Sequence, residues 1–141
     1  MAKQHKHAGA SASITTRLDA KNIAEAAEAA AKAAESLQVI VRLEESTPGR
    51  LVYSARNRVV GGAVEFMTFE VALKDDGERR TIKTRILRYK QKRQWVVIVP
   101  LPWQMVAWTT YKKFMYGLSN DIKGRDTEAA SRVLELAAAS S

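Results

Sequence analysis

From Gln38 to Lys74 the chain alternates apolar and polar side chains in three runs, separated by short turn signals. Val39, Val41 and Leu43 face one way in the first run, and Leu51, Tyr53 and Ala55 in the second. Met67, Phe69, Val71 and Leu73 form the inner face of the third. A period of two is the mark of a half-buried strand. The breaks are Thr47-Pro48-Gly49, Gly61-Gly62 and Asp75-Asp76-Gly77-Glu78, turn chemistry with no room for a crossover helix. The chain must therefore build an antiparallel sheet from hairpins.

The rest of the chain supplies its covering. Ile14, Thr16 and Leu18 alternate with Ser13, Thr15 and Arg17 as a first short strand. Asp19 then stands where a helix N-cap belongs. The alanine-rich run from Ala20 to Ser36 predicts a helix with Ile23, Ala26, Ala27, Ala30, Ala33, Ala34 and Leu37 inward. Gln94 to Val99 reads as a last apolar strand. Pro102 is placed to open a second long helix with Trp103, Ala107, Tyr111, Phe114, Leu118 and Ile122 on its core face. Asp126 or Thr127 would cap a short third helix reaching Ala139, with Val133, Leu134 and Leu136 inward.

The expected fold is α+β: one twisted antiparallel sheet of about six strands, with the N-terminal and C-terminal helices on one face. The element order β-α-β5-α-α resembles the helix-grip folds that hold apolar ligands, and also the saddle-shaped TATA-box-binding protein. Both resemblances rest on element order alone. At 141 residues one domain is expected, spanning 12–141 behind a disordered basic tail over 1–11.

Eight of the 23 Lys and Arg residues, and none of the 15 acids, fall in the stretch RRTIKTRILRYKQKR at 79–93. The remainder is neutral, so the net charge of +8 belongs to this segment. Ile82, Thr84 and Ile86 share one parity, whereas Leu87 and Tyr89 take the other. That slip predicts a β-bulge near Ile86–Leu87. The bulge would carry Arg88, Lys90 and Lys92 onto the surface already held by Arg79, Lys83 and Arg85.

Enzymatic signatures are missing. Both histidines, His5 and His7, lie in the tail, and the chain has no cysteine. A thiolate, a disulfide or a core Ser–His pair is therefore excluded. No phosphate-binding glycine motif occurs. Glu65 and Glu70 are acids on an apolar strand and read best as cross-strand partners of the basic strand. No cofactor and no metal site is expected. The N-terminus lacks an apolar signal region and the longest apolar run is short, so a cytoplasmic protein without a transmembrane segment is expected.

The functional reading is a non-enzymatic binding module. Arg79, Arg80, Lys83, Arg85, Arg88, Lys90, Lys92 and Arg93 would engage a polyanion, nucleic acid first, without strong base preference. Trp108, Lys112 and Tyr116 would form a stacking stripe. The alternative is a carrier of a small apolar or lipid-like ligand, with Tyr53, Phe69, Trp103 and Tyr111 lining a cavity between sheet and C-terminal helix. A third reading is an assembly protein docking an acidic partner, with a homo-oligomer through the open sheet face.

Overall fold

Asp19 accepts a hydrogen bond from Asn22 N at 2.8 Å, which satisfies a free N–H of the first helical turn. The cap lies between β1 (Ser11–Thr16) and α1 (Ala20–Ala34) of a computed structural model that describes residues 5–136. The meander follows as β2 (Val39–Thr47), β3 (Arg50–Asn57), β4 (Glu65–Asp75) and β5 (Arg80–Tyr89). Two small ladders come next: β6 (Gln91–Lys92) with β9 (Gln104–Met105), and β7 (Trp95–Val96) with β8 (Val99–Pro100). α2 (Trp108–Arg125) and β10 (Ala130–Leu134) complete the described chain.

The main sheet has six antiparallel strands in the order β10-β1-β5-β4-β3-β2. Its inner face follows the expected parity: Tyr53, Ala55, Met67, Phe69, Val71 and Ile82 are buried. Gly77, at φ 90°, makes the tight β4–β5 turn without the strain a Cβ would add. In the β4–β5 ladder Phe69 pairs with Ile86 and Thr68 with Arg88, which leaves Leu87 as the extra residue. The expected bulge is there.

Both helices join the sheet's inner residues in one buried cluster. The small side chains of α1 permit close approach, and a Cβ on Gly117 of α2 would sit 3.5 Å from that of Ala30. Ala31 takes the inward place expected of Ala33, and Leu37 is 91% exposed. The helix has stopped by then: Ser36 N–H donates to Val39 O at 2.9 Å and turns the chain into β2. Tyr111, Phe114, Leu118 and Ile122 are fully buried, as their spacing demands.

Three expected elements differ. α2 begins at Trp108 rather than Pro102, after Ala107 in the left-handed region at φ 67°. Gln94 to Val99 is no sheet strand, because β1 already occupies the free edge of β5. The chain leaving β5 finds both sides of that strand occupied and folds back on itself as β7–β8. The short C-terminal helix is replaced by β10, which pairs with β1 from Thr15↔Ala130 to Ser11↔Leu134. An open strand edge rewards the alternation Ser131, Val133 more than an isolated short helix does. The rest of that expected helix, beyond Leu136, lies outside the described residues.

Candidate functional site

The bulge decides where the basic strand's charge goes. Ile82, Thr84 and Ile86 are buried, so Lys83 and Arg85 face away from the helices, and the extra residue keeps Arg88 exposed beyond them. Arg85 and Arg88 stand over a lattice of acids. Arg85 pairs with Glu70 at 2.9 Å, and Glu70 also accepts from Arg50 Nε at 2.5 Å. Arg88 reaches Glu65 at 3.3 Å; Arg56 reaches Glu44 at 3.1 Å. Beneath the lattice Val52, Ser54, Thr68 and Glu70 are buried. The Thr68 hydroxyl, with Arg88 and Arg56 beside it, holds the Glu65 carboxyl below its ordinary range. Glu65 and Glu70 thus serve as counter-ions.

The other basic residues go elsewhere. Arg80 has inward parity, donates to Leu18 O at 3.0 Å and pairs with Asp75 at 3.4 Å. Arg79 is exposed at the hairpin end, by a small groove that also holds Arg17 and Asp126. Lys90, Lys92 and Arg93 leave the main sheet: the Lys90 backbone is bonded to Phe66 and Val106, and Lys92 pairs with Gln104. The Arg93 guanidinium covers the Trp103 ring at 4.6 Å. The eight cations therefore do not form one surface.

The apolar set is also divided. Tyr53, Phe69 and Tyr111 are packed interior, with Phe69 5.1 Å from Tyr111 and 5.8 Å from Tyr53 between ring centres. Burial raises the Tyr53 hydroxyl to about 12 and pushes Tyr111 up as well. The Tyr111 hydroxyl donates to Ala10 O at 2.8 Å and lies 2.9 Å from Thr84 Oγ1. All three rings lie within the buried core cluster. Trp103, by contrast, is half exposed.

The room lies at the end of the sheet. There the chain around β6 and β9 stands off from α1 and α2, and a cleft of about 870 Å³ opens. Trp103, Trp108, Met105 and Phe66 give it apolar walls. Its formally charged lining residues are all cations, Lys6, Lys92 and Lys113, with His5 and His7 beside them. None of the three lysines is ion-paired among the described residues. Arg93, against Trp103, has a buried Nε with no hydrogen-bond partner.

Residues 5 to 10, expected within a disordered tail, lie against this end; residues 1 to 4 of that tail lie outside the described residues. His5 N–H donates to the Tyr89 hydroxyl at 3.0 Å, and the His7 ring stacks on Trp108 at 3.9 Å. His7 N–H donates to His5 Nδ1, so His5 Nε2 carries the proton shared with Trp103 O at 3.0 Å. His7 thus covers one face of Trp108. Lys112 pairs with Glu135 at 3.3 Å and Tyr116 donates to it at 2.8 Å, so the Trp108–Lys112–Tyr116 stripe is occupied by its own chain.

Comparison with protein-family models, curated proteins and solved structures gave no match. Among the described residues no His, Asp and Glu cluster is arranged to hold a metal, and no helix is long and apolar enough to cross a membrane. Sequence reasoning did not bring Lys113, His5 and His7 together with Trp103 around one cleft. One signal was available: the chain has no Asp or Glu between Glu78 and Asp121. That acid-free stretch supplies β5, the two small ladders and most of α2, and with them most of the cleft's walls.

Proposed function

We propose that this protein binds a small amphipathic anion, an apolar body carrying a carboxylate or phosphate, in the cleft between the β6–β9 segment and the helices. The carrying observation is the pairing of apolar walls with charged lining residues of positive sign alone. The cleft's size falls within that of ligand pockets generally. Trp103 and Trp108 would contact the apolar body, while Lys92 and Lys113, free of ion pairs among the described residues, would meet the acid. The space lies beside the packed core rather than inside it. The binding needs no chemistry, in keeping with a non-enzymatic carrier.

Calorimetric titration with dodecanoate and with dodecanol tests the proposal. Dodecanoate should bind, dodecanol about tenfold or more weakly, and the double variant K92A/K113A should abolish the difference. Equal binding of acid and alcohol by the unmodified protein would remove the headgroup role.

A second reading keeps the polyanion. The bulge holds Lys83, Arg85 and Arg88 on one exposed face, beside Arg50 and Arg56. Nucleic-acid phosphates would have to displace Glu70 and Glu65 from these arginines. A gel shift with a log–log salt slope of about −3 favours this reading; no shift at low salt removes it.

A further inference from the structure

Five consecutive apolar residues stand in solvent on the β7–β8 hairpin: Trp95, Val96, Val97, Ile98 and Val99, exposed by 61%, 56%, 90%, 83% and 58%. Valine and isoleucine are among the most often buried residues, so a row of them at a hairpin tip requires an explanation. The tip is also costly to make. Val97 adopts φ 57°, a left-handed conformation that a β-branched residue rarely takes. A sequence selected only for a tight turn would have glycine or asparagine there.

We propose that this hairpin docks the protein on an anionic bilayer surface, with Val97 and Ile98 inserted and Lys90, Lys92 and Arg93 against the headgroups. The hairpin is suited to this. Its ladder pairs Trp95 with Pro100 and Val96 with Val99, and Leu101 N–H closes its base on Gln94 O at 2.8 Å. These pairings hold the two arms of the hairpin together beneath the Val97–Ile98 tip. Trp95 at the ladder's start and Trp103 beyond its end are both exposed, and indoles favour a membrane interface. The three cations immediately before the hairpin, in a stretch without a carboxylate, complement negative lipid and would repel an acid-free copy of the same surface. This charge complementarity selects anionic lipid over a second copy of the chain.

The docking does not rest on cleft occupancy, though the two share residues. Leu101, Pro102 and Trp103 run from the hairpin's base into the cleft wall, so docking would bring the cleft mouth to the bilayer.

Co-sedimentation of the full chain with vesicles tests the inference, without added ligand. Vesicles of phosphatidylcholine mixed with phosphatidylglycerol should bind the protein at least about tenfold more tightly than phosphatidylcholine alone. The variants I98D and V97D, altered at solvent-exposed sites, should keep the native circular dichroism spectrum and lose that binding about tenfold or more. No sedimentation with anionic vesicles overturns the proposal, as does sedimentation that neither variant weakens. Light scattering that shows a dimer which I98D dissociates, with no vesicle binding, would assign the hairpin to a second copy instead.

Discussion

The guanidinium of Arg93 lies over the Trp103 indole, 4.6 Å from its centroid, and joins the basic segment to the only half-exposed wall that the sequence had placed in an apolar pocket. An exposed cation–π contact of this kind contributes about 0.5–1 kcal/mol. Arg93→Ala should therefore lower unfolding free energy by less than about 1 kcal/mol in urea titration, while altering tryptophan emission. A loss several times larger would mean that Arg93 has a structural partner beyond Trp103.

The bulge makes an unusual prediction about deletions. Removing Leu87 leaves Phe69 opposite Ile86 and Thr68 opposite Arg88, now as an ordinary ladder. Removing Thr84 instead shifts half of β5 by one residue and turns Lys83 or Arg85 toward the core. Cooperative urea unfolding should survive the first deletion and be lost in the second.

Packing between the helices predicts opposite signs at one site. Gly117→Ala places its Cβ in ordinary contact with Ala30 and removes a helical glycine, so it should stabilise by about 0.5–1 kcal/mol. Gly117→Leu should destabilise by about 1–3 kcal/mol by forcing α1 and α2 apart. Phe114→Ala, which empties a place 4.8 Å from Phe69 and 5.5 Å from Tyr53, should cost about 3–5 kcal/mol. Chemical denaturation reads all three.

Acid should weaken the outer lattice. Hydrogen bonds from Thr68 and Arg88 lower the Glu65 carboxyl, and the Ser54 hydroxyl followed by Arg56 lowers Glu44. A carboxyl depressed in the folded state contributes stability that is present above its unfolded value, here 4.5. That contribution is lost as pH falls through the lower folded value. Stability should thus decline from about pH 5 downward, and Glu65→Gln should flatten the decline. An unchanged slope in that variant would show that Glu65 is not held by its neighbours.

These tests also mark what the sequence could reveal. The bulge at Leu87 was legible because a parity slip has one cheap structural solution. The core faces of β4 and α2 were legible because Phe69, Phe114 and Leu118 repeat at strand and helix periods. The stretch from Lys90 to Ala107 was not. Its apolar run Trp95–Val99 has the composition of a buried strand, and only the pairing of β1 with β5 closes that option. β10 was hidden for a related reason: Val133 and Leu134 satisfy a helical face as well as a strand, and the free edge of β1 decides. The cleft draws on the misread stretch from Lys90 to Ala107 and on residues 5–7, so its cations were legible one by one and their convergence was not.

The central claim is that an amphipathic anion occupies the cleft beside Trp103 and Trp108. Its most direct measurement is quenching of tryptophan emission by bromododecanoate in the Trp95→Phe variant, which leaves only the two cleft indoles. Saturable quenching that unbrominated dodecanoate reverses, and that K92A/K113A weakens about tenfold, is the predicted result. Quenching that does not saturate, or that the double variant leaves unchanged, would contradict it.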